Sequence, residues 1–357
     1  MSMRAARYHG ARDIRVEQVS APTGALRPDE LLLRPRLCGI CGTDLHEYTS
    51  GPIVTPVAPH ALTGAVNPQI LGHEFSAEVV AVGDEVTAAS PGDRVAVMPL
   101  IFCGRCYSCR RGWGHLCERM ACTGLSDAWG GLGALAVVRE YQVAVLPEEL
   151  SDAQGALIEP AAVAEYGVRC GRVGAGDAVL VTGAGPIGAL AVLAAHAAGA
   201  GAVYLSEPNP ERAALADGLG AAAVLDPRRE PVAEILREAT GGVGVDVAIE
   251  CAGNARALND CVLSTRRAGT VVQTGLHVGT AEVTPMVWSE RDLTIVGTWC
   301  YRVYDWPRII AMVRSGRFPV ERTITDQIAL ADIVRDGFEV LVDPAGRAIK
   351  ILVEVQE

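Results

Sequence analysis

Lysine is all but missing from this chain. Of its 31 basic residues only Lys350 is a lysine, and the use of arginine everywhere else is read as a compositional bias rather than as chemistry. Positive charge is outweighed too: 42 acidic residues against 31 basic ones leave a net charge of −11. Such a chain has no electrostatic reason to seek nucleic acid. It also lacks a long, purely apolar run. The most apolar stretch, residues 183–205, is rich in alanine and glycine and contains His196, which suits a strand, a loop and a helix better than a membrane span. Residues 1–15 are charged throughout with no apolar centre, and neither end carries a lipidation motif, so no secretory signal or anchor is expected. No repeat of solenoid length and no low-complexity tail is visible. The expected setting is the cytoplasm, without a membrane partner.

What is present points to an enzyme-sized α/β protein. A length of 357 residues exceeds what one hydrophobic core serves, so two domains are expected. Eleven cysteines in a large chain of this kind speak for metal or catalysis rather than disulfides. The first 150 residues hold short Val/Ile/Leu runs, at 30–36, 76–82 and 93–98, punctuated by glycine and proline, which predicts irregular β-rich structure. Residues 48–69, with Pro52, Pro56, Pro59 and Pro68, read as a long loop. From about residue 174 the texture changes. Strands are expected at 178–182, 202–206, 222–225, 245–250, 270–273 and 294–296, with helices such as 187–198 and 211–219 between them. That alternation predicts a six-stranded, doubly wound parallel sheet. After Trp306 come two helical patterns and a last strand at 348–355, so the α/β unit is expected to be inserted into the first domain. The expected division is 1–160, 161–299 and a return at 300–357.

The residues Gly183, Gly185, Pro186, Ile187 and Gly188 form G-x-G-x-x-G between an expected strand and helix. The first glycine permits a tight turn, the second a close pyrophosphate and the third close helix packing, with the phosphates at the helix N-terminus. Glu207 lies 19 residues past Gly188, at the end of the second strand, where a carboxylate accepts both ribose hydroxyls and repels a 2′-phosphate. NAD is therefore expected over NADP. Arg212 either reaches the adenosine end or is a solvated helix residue.

Two metal sites are expected. Cys103, Cys106, Cys109 and Cys117 offer four thiolates within 15 residues, enough to close a tetrahedral structural zinc site. An iron–sulfur cluster and unliganded thiols are the rivals, and nothing else in the chain suggests electron transfer. Cys41 and His73, with the carboxylate Glu159 in an apolar stretch, can make a second, open site. Each of these has an ordinary structural alternative, Cys38 is a competing ligand, and the spacing alone does not choose. Asp44 is placed to orient His73.

Taken together, these residues resemble the zinc-dependent medium-chain alcohol and polyol dehydrogenases. The resemblance covers nearly the whole chain: Cys41-Gly-Thr43-Asp44-Leu-His46, Gly72-His73-Glu74, the four-cysteine lobe, Glu159-Pro160 and the glycine loop occur in the family's order. Residues 47–53, 60–63 and 70–75 are similar to the longer loop of 2,3-butanediol dehydrogenases; sorbitol dehydrogenases share the Glu-Pro element with a shorter loop. The resemblance implies a GroES-like β-rich catalytic domain, with a zinc lobe at about 100–120, and an inserted Rossmann domain. It implies that Cys41, His73 and Glu159 bind a catalytic zinc, with Glu74 beside it as an alternative ligand. Thr43 would pass the substrate proton and His46 relay it. Two zincs per chain, NAD, and a homodimer or homotetramer complete the expectation. The reaction implied is hydride exchange between NAD(H) and a secondary alcohol or ketone, with 2,3-butanediol and acetoin first, and a polyol or L-threonine as alternatives. A non-catalytic NAD-binding protein on this fold would be expected to have lost ligands that this chain retains. One departure stands out: Gly130-Gly-Leu-Gly-Ala-Leu135 replaces the family's Gly-Gly-Phe-Ala-Glu-Tyr. Residues 297–301 occupy the stretch that lines nicotinamide and substrate in relatives.

Overall fold

The computed structural model describes residues 2–22 and 24–356. Its parallel sheet has six strands in the order Ala223–Leu225, Ala202–Ser206, Ala178–Thr182, Val245–Glu250, Thr265–Gln273 and Thr294–Gly297. Numbered along the chain this is 3-2-1-4-5-6, and the direction of winding reverses between Ala178–Thr182 and Val245–Glu250, the position at which such sheets open a ligand crevice. Val179, Leu180 and Val181 are fully buried in succession, as a strand covered on both faces requires. The expected strands are all there. The fifth starts five residues earlier than its apolar core suggests, at Thr265, with an irregular register opposite Val245 and Val247.

The second sheet is mostly antiparallel. Its path runs Val143–Val145, Arg94–Val97, Glu74–Val82, Glu30–Gly39, Lys350–Glu354 and Ile324–Ala329, and Ala136–Arg139 also pairs with Glu30–Gly39. The last strand, Lys350–Glu354, thus returns beside Glu30–Gly39, with Leu352 opposite Gly39. Several strands go beyond those named from the sequence. Ser2–Gly10 and Asp13–Ser20 form an antiparallel pair in a separate three-stranded sheet. Ile324–Ala329, polar and half-exposed, becomes a strand by pairing parallel to Lys350–Glu354. The loop expected over residues 48–69 starts later, because Tyr48 lies buried in the helix Gly42–Ser50.

The helix Ile158–Cys170 connects the two sheets and packs on Pro186–Ala198. Leu157 and Ile158 share one core cluster with Leu37 and Leu352 from one sheet and Val179 and Val181 from the other. Each such side chain contributes about 1.5–3 kcal/mol on burial, so this shared core fixes how the sheets meet. No helix among the described residues is long and apolar enough to cross a membrane.

Candidate active site

Strand register builds the candidate metal site. Gly39 stands opposite Glu74 in the antiparallel pair of Glu30–Gly39 and Glu74–Val82. The residues just beyond, Cys41 on one side and His73 on the other, are thereby brought face to face. Ligand atoms of Cys41, His73 and Glu74 all lie within 4.8 Å of one another. Gly72 serves this approach: its φ is +97°, and a Cβ there would come within 2.6 Å of Cys38 Sγ. Cys38 is fully buried behind it, with its thiol directed at the Gly39 carbonyl.

Cys41 precedes the helix Gly42–Ser50, and Asp44 in its first turn accepts the Cys41 N–H on Oδ2 at 3.0 Å. Asp44 Oδ1 faces His73 Nδ1 at 3.5 Å. With Nδ1 turned toward this carboxylate, Nε2 is the nitrogen available to a metal. The His73 imidazole resists burial as a cation, but Asp44 and Cys41 outweigh that and hold it well above its ordinary range. Thr43 Oγ1 lies 3.8 Å from Cys41 Sγ, and His46, half-buried, is one turn further on the same helix. Behind them Glu47 is fully buried; it accepts the Ile53 N–H at 3.1 Å and the Thr55 hydroxyl at 2.7 Å, pinning the segment that follows the helix.

Glu159, in the first turn of Ile158–Cys170, stands outside the close Cys41–His73–Glu74 group. It is nevertheless within electrostatic reach. Burial pushes its carboxyl up to about 7, His73 opposes that shift, and Glu74 adds to it. A carboxylate this ill at ease is suited to a nearby cation. Cys300 and Tyr301, from the stretch after the last strand of the parallel sheet, interact with Glu159, so the cluster sits where the two domains meet. Cys300 has the unusual φ of +49°. The donor set of thiolate, imidazole and carboxylates fits zinc, and Glu74 Oε1 is buried without a hydrogen-bond partner.

The four-cysteine lobe is equally compact. The sulfurs of Cys103, Cys106, Cys109 and Cys117 all lie within 4.8 Å of one another. Backbone amides already point at them: Cys103 N–H and Arg119 N–H donate to Cys117 Sγ at 3.3 and 3.4 Å. Amides of Cys109 and Glu118 pull the Cys106 thiol down to about 6. Four sulfurs in this arrangement fit a closed tetrahedral zinc.

In the glycine loop each glycine has its own steric reason. Gly183 has φ +88°; a Cβ on Gly188 would lie 1.7 Å from the Gly183 carbonyl oxygen; beside Gly185 there is nothing within 4 Å. The open side is the one a pyrophosphate needs. Gly185 caps the 13-residue helix Pro186–Ala198, with Pro186 and Ile187 in its first turn, and its free N–H groups fit an anion. Glu207, buried, accepts the Ala184 N–H at 2.6 Å and the Asn209 N–H at 2.7 Å, tying the loop to the end of the second strand. Arg212 lies in the next helix, Pro210–Asp217, with its Nε buried and unpaired.

Two further findings revise the sequence picture. Lys350, read from the sequence as composition, is fully buried beside the Cys41–His73–Glu74 group and donates to Glu74 Oε2 at 2.5 Å. Its uniqueness in the chain was the available signal. The segment that carries the departure at 130–135 lies against the residues before His73: the amides of Gly131 and Leu132 donate to the carbonyls of Gly72 and Leu71.

A dinucleotide loop on one domain and a zinc-type donor set against the other define a nicotinamide-dependent zinc dehydrogenase. Residues 27–148 match the model of the alcohol dehydrogenase GroES-like domain, and residues 186–315 match that of the zinc-binding dehydrogenases. The chain is 40% identical to (R,R)-butanediol dehydrogenase of Bacillus subtilis (strain 168), covering 98% of this chain and 99% of that one. It is 33% identical to sorbitol dehydrogenase of the same strain, over 99% and 97%. The crystal structure of 2R,3R-butanediol dehydrogenase from Bacillus subtilis superposes with a TM-score of 0.91 at 39% identity, over 99% of each chain. The protein belongs to the zinc-dependent alcohol dehydrogenase family and combines its GroES-like and Rossmann-type domains.

Proposed function

We propose that the protein interconverts 2,3-butanediol and acetoin, using NAD and a catalytic zinc held by Cys41, His73 and a carboxylate. The observation that carries the substrate is the end-to-end likeness to a butanediol dehydrogenase, at 40% identity against 33% for a sorbitol dehydrogenase. When bound, zinc supplies Lewis acidity toward the alcohol oxygen and the nicotinamide accepts the hydride. The protein's own residues bind, orient and move the proton. Glu159 is assigned as the third ligand, with Glu74 in reserve. Thr43 Oγ1, beside Cys41, takes up the proton from the substrate hydroxyl. His46, three residues on along the same helix face, passes it to solvent, a task that suits an imidazole at neutral pH. Glu207 selects NAD through the ribose, and the four-cysteine lobe holds a second, structural zinc.

The proposal includes a cytoplasmic setting, where the cysteines, none of them in a disulfide among the described residues, stay reduced and available to zinc. It also includes a homodimer or homotetramer. Among the described residues Thr294–Gly297 is paired on one side only, with Ile295 38% exposed, and an unpaired apolar edge favours association; sedimentation velocity reads the state.

The substrate is tested by NADH formation on (R,R)-, (S,S)- and meso-2,3-butanediol, sorbitol and L-threonine. One butanediol isomer is expected to exceed sorbitol and threonine by at least about tenfold in kcat/KM, the scale of a few contacts in a pocket. Turnover confined to sorbitol or threonine would keep the chemistry and discard this substrate.

A further inference from the structure

We infer that Asn209 is a positioning residue for the cofactor: its side-chain amide ties the turn that carries Glu207 to the catalytic domain, and so holds the bound nicotinamide in register with the metal site. The inference rests on the proposal that NAD lies on the glycine loop and that Cys41 and His73 hold zinc.

Asn209 is buried and precedes the helix Pro210–Asp217. Its Oδ1 accepts the N–H groups of Glu211 and Arg212 at 2.9 and 3.2 Å, which caps the helix. These two bonds identify the side-chain oxygen and leave Nδ2 as a donor. Nδ2 donates to the carbonyls of Pro344 and Gly346 at 2.9 and 3.0 Å. Capping alone does not call for those bonds, since serine or aspartate caps as well and brings no amide donor.

Both carbonyls belong to the turn before Lys350–Glu354, the returning strand of the mostly antiparallel sheet. The turn is braced from within: Asp343 accepts the Ala345 N–H on Oδ1 at 2.9 Å and the Gly346 N–H on its carbonyl at 3.0 Å. It follows the helix Glu339–Val342. There Glu339 accepts the Tyr48 hydroxyl, and Phe338 packs on the Tyr48 ring with centroids 5.0 Å apart. Tyr48 shares the helix Gly42–Ser50 with Thr43 and His46. On the other side, the Asn209 N–H donates to Glu207 Oε1 at 2.7 Å, and Glu207 Oε2 accepts the Ala184 N–H of the glycine loop. Asn209 thus stands between the cofactor's loop and the helix of the proposed proton relay. The domains have other ties: Arg317 donates to the Ala197 carbonyl and Arg322 to the Gly218 carbonyl. Removing the Asn209 amide therefore frees one corner of the interface without parting the domains.

Hydride transfer is sensitive to such freedom, because a misplacement of about 1 Å can cost about 10²-fold in rate. Cofactor affinity is not, because the N–H that Glu207 accepts at position 209 is a backbone group and survives a change of side chain.

The experiment uses Asn209→Ser in the zinc-loaded protein, which keeps the cap and loses the amide. Zinc content, thermal unfolding and NADH affinity are expected to be unchanged. The emission of bound NADH is expected to move toward that of free NADH as the nicotinamide loses its fixed place. Single-turnover hydride transfer from the best alcohol among the butanediols, sorbitol and threonine is expected to slow about 10–100-fold. Asn209→Asp, which also caps but turns a carboxylate on the two carbonyls, is expected to slow it at least as much. A native emission or a native transfer rate in Asn209→Ser would overturn the inference. So would a slower rate matched by an equal loss of NADH affinity or by earlier unfolding, the pattern of a merely structural residue. Failure of the unsubstituted protein to bind NADH would overturn the reading of the glycine loop, and this inference with it.

Discussion

Asp44 Oδ1 faces His73 Nδ1 at 3.5 Å while its Oδ2 accepts the Cys41 N–H at 3.0 Å. One carboxylate thus orients two of the residues proposed to hold the catalytic metal. Asp44→Asn keeps the shape and the Cys41 contact but loses the charge that favours a proton on Nδ1. It is expected to weaken zinc at this site about 10–100-fold, measured by competition with a chelator. Unchanged affinity would show that His73 is oriented by other means.

The glycine loop yields a pair of contrasting variants. Gly188→Ala drives a Cβ into the Gly183 carbonyl oxygen, a backbone atom that cannot swing away, whereas Gly185→Ala meets nothing within 4 Å. The first is expected to lower the melting temperature, with a cost of about 1–3 kcal/mol as for other overpacked sites. The second is expected to melt with the unsubstituted protein yet lose NADH binding, because the methyl occupies the pyrophosphate's side. Calorimetry and NADH fluorescence titration separate the two, and full NADH affinity in Gly185→Ala would place the phosphates elsewhere.

Glu207 does double duty, since its oxygens accept the Ala184 and Asn209 amides. Glu207→Ala is expected to shift the NAD to NADP ratio of kcat/KM toward NADP. It is also expected to cost about 1–3 kcal/mol of stability by leaving those buried amides without partners. Steady-state kinetics with both cofactors, together with urea unfolding, check both parts.

Cys106→Ser addresses the lobe. The sample is expected to fall from two zincs per chain to one, with earlier thermal unfolding, because the metal contributes folding energy to a segment with little core. Metal analysis of the purified variant decides it; retention of both zincs would remove Cys106 from the ligand set.

Legibility in the sequence followed the reach of the interactions. The glycine loop and the four cysteines declare themselves because each is one short segment whose geometry is local. The parallel strands were visible because Val179, Leu180 and Val181 must be apolar on both faces. That Glu74 rather than Glu159 stands closest to Cys41 and His73 was not visible, because its placement depends on the Gly39–Glu74 register and on Lys350 arriving from the other end of the chain. Ile324–Ala329 has too few apolar residues to announce a strand and becomes one through its neighbour. The hairpin of Ser2–Gly10 was hidden because its buried positions are filled by small residues such as Ala5 and Ala6.

The most direct test of the account is Cys41→Ala, with zinc counted, NADH titrated and turnover measured on one preparation. The account predicts a fall from two zincs to one, NADH binding within error of the unsubstituted protein, and loss of nearly all turnover. Loss of one zinc with full activity, or retention of both zincs, would contradict it.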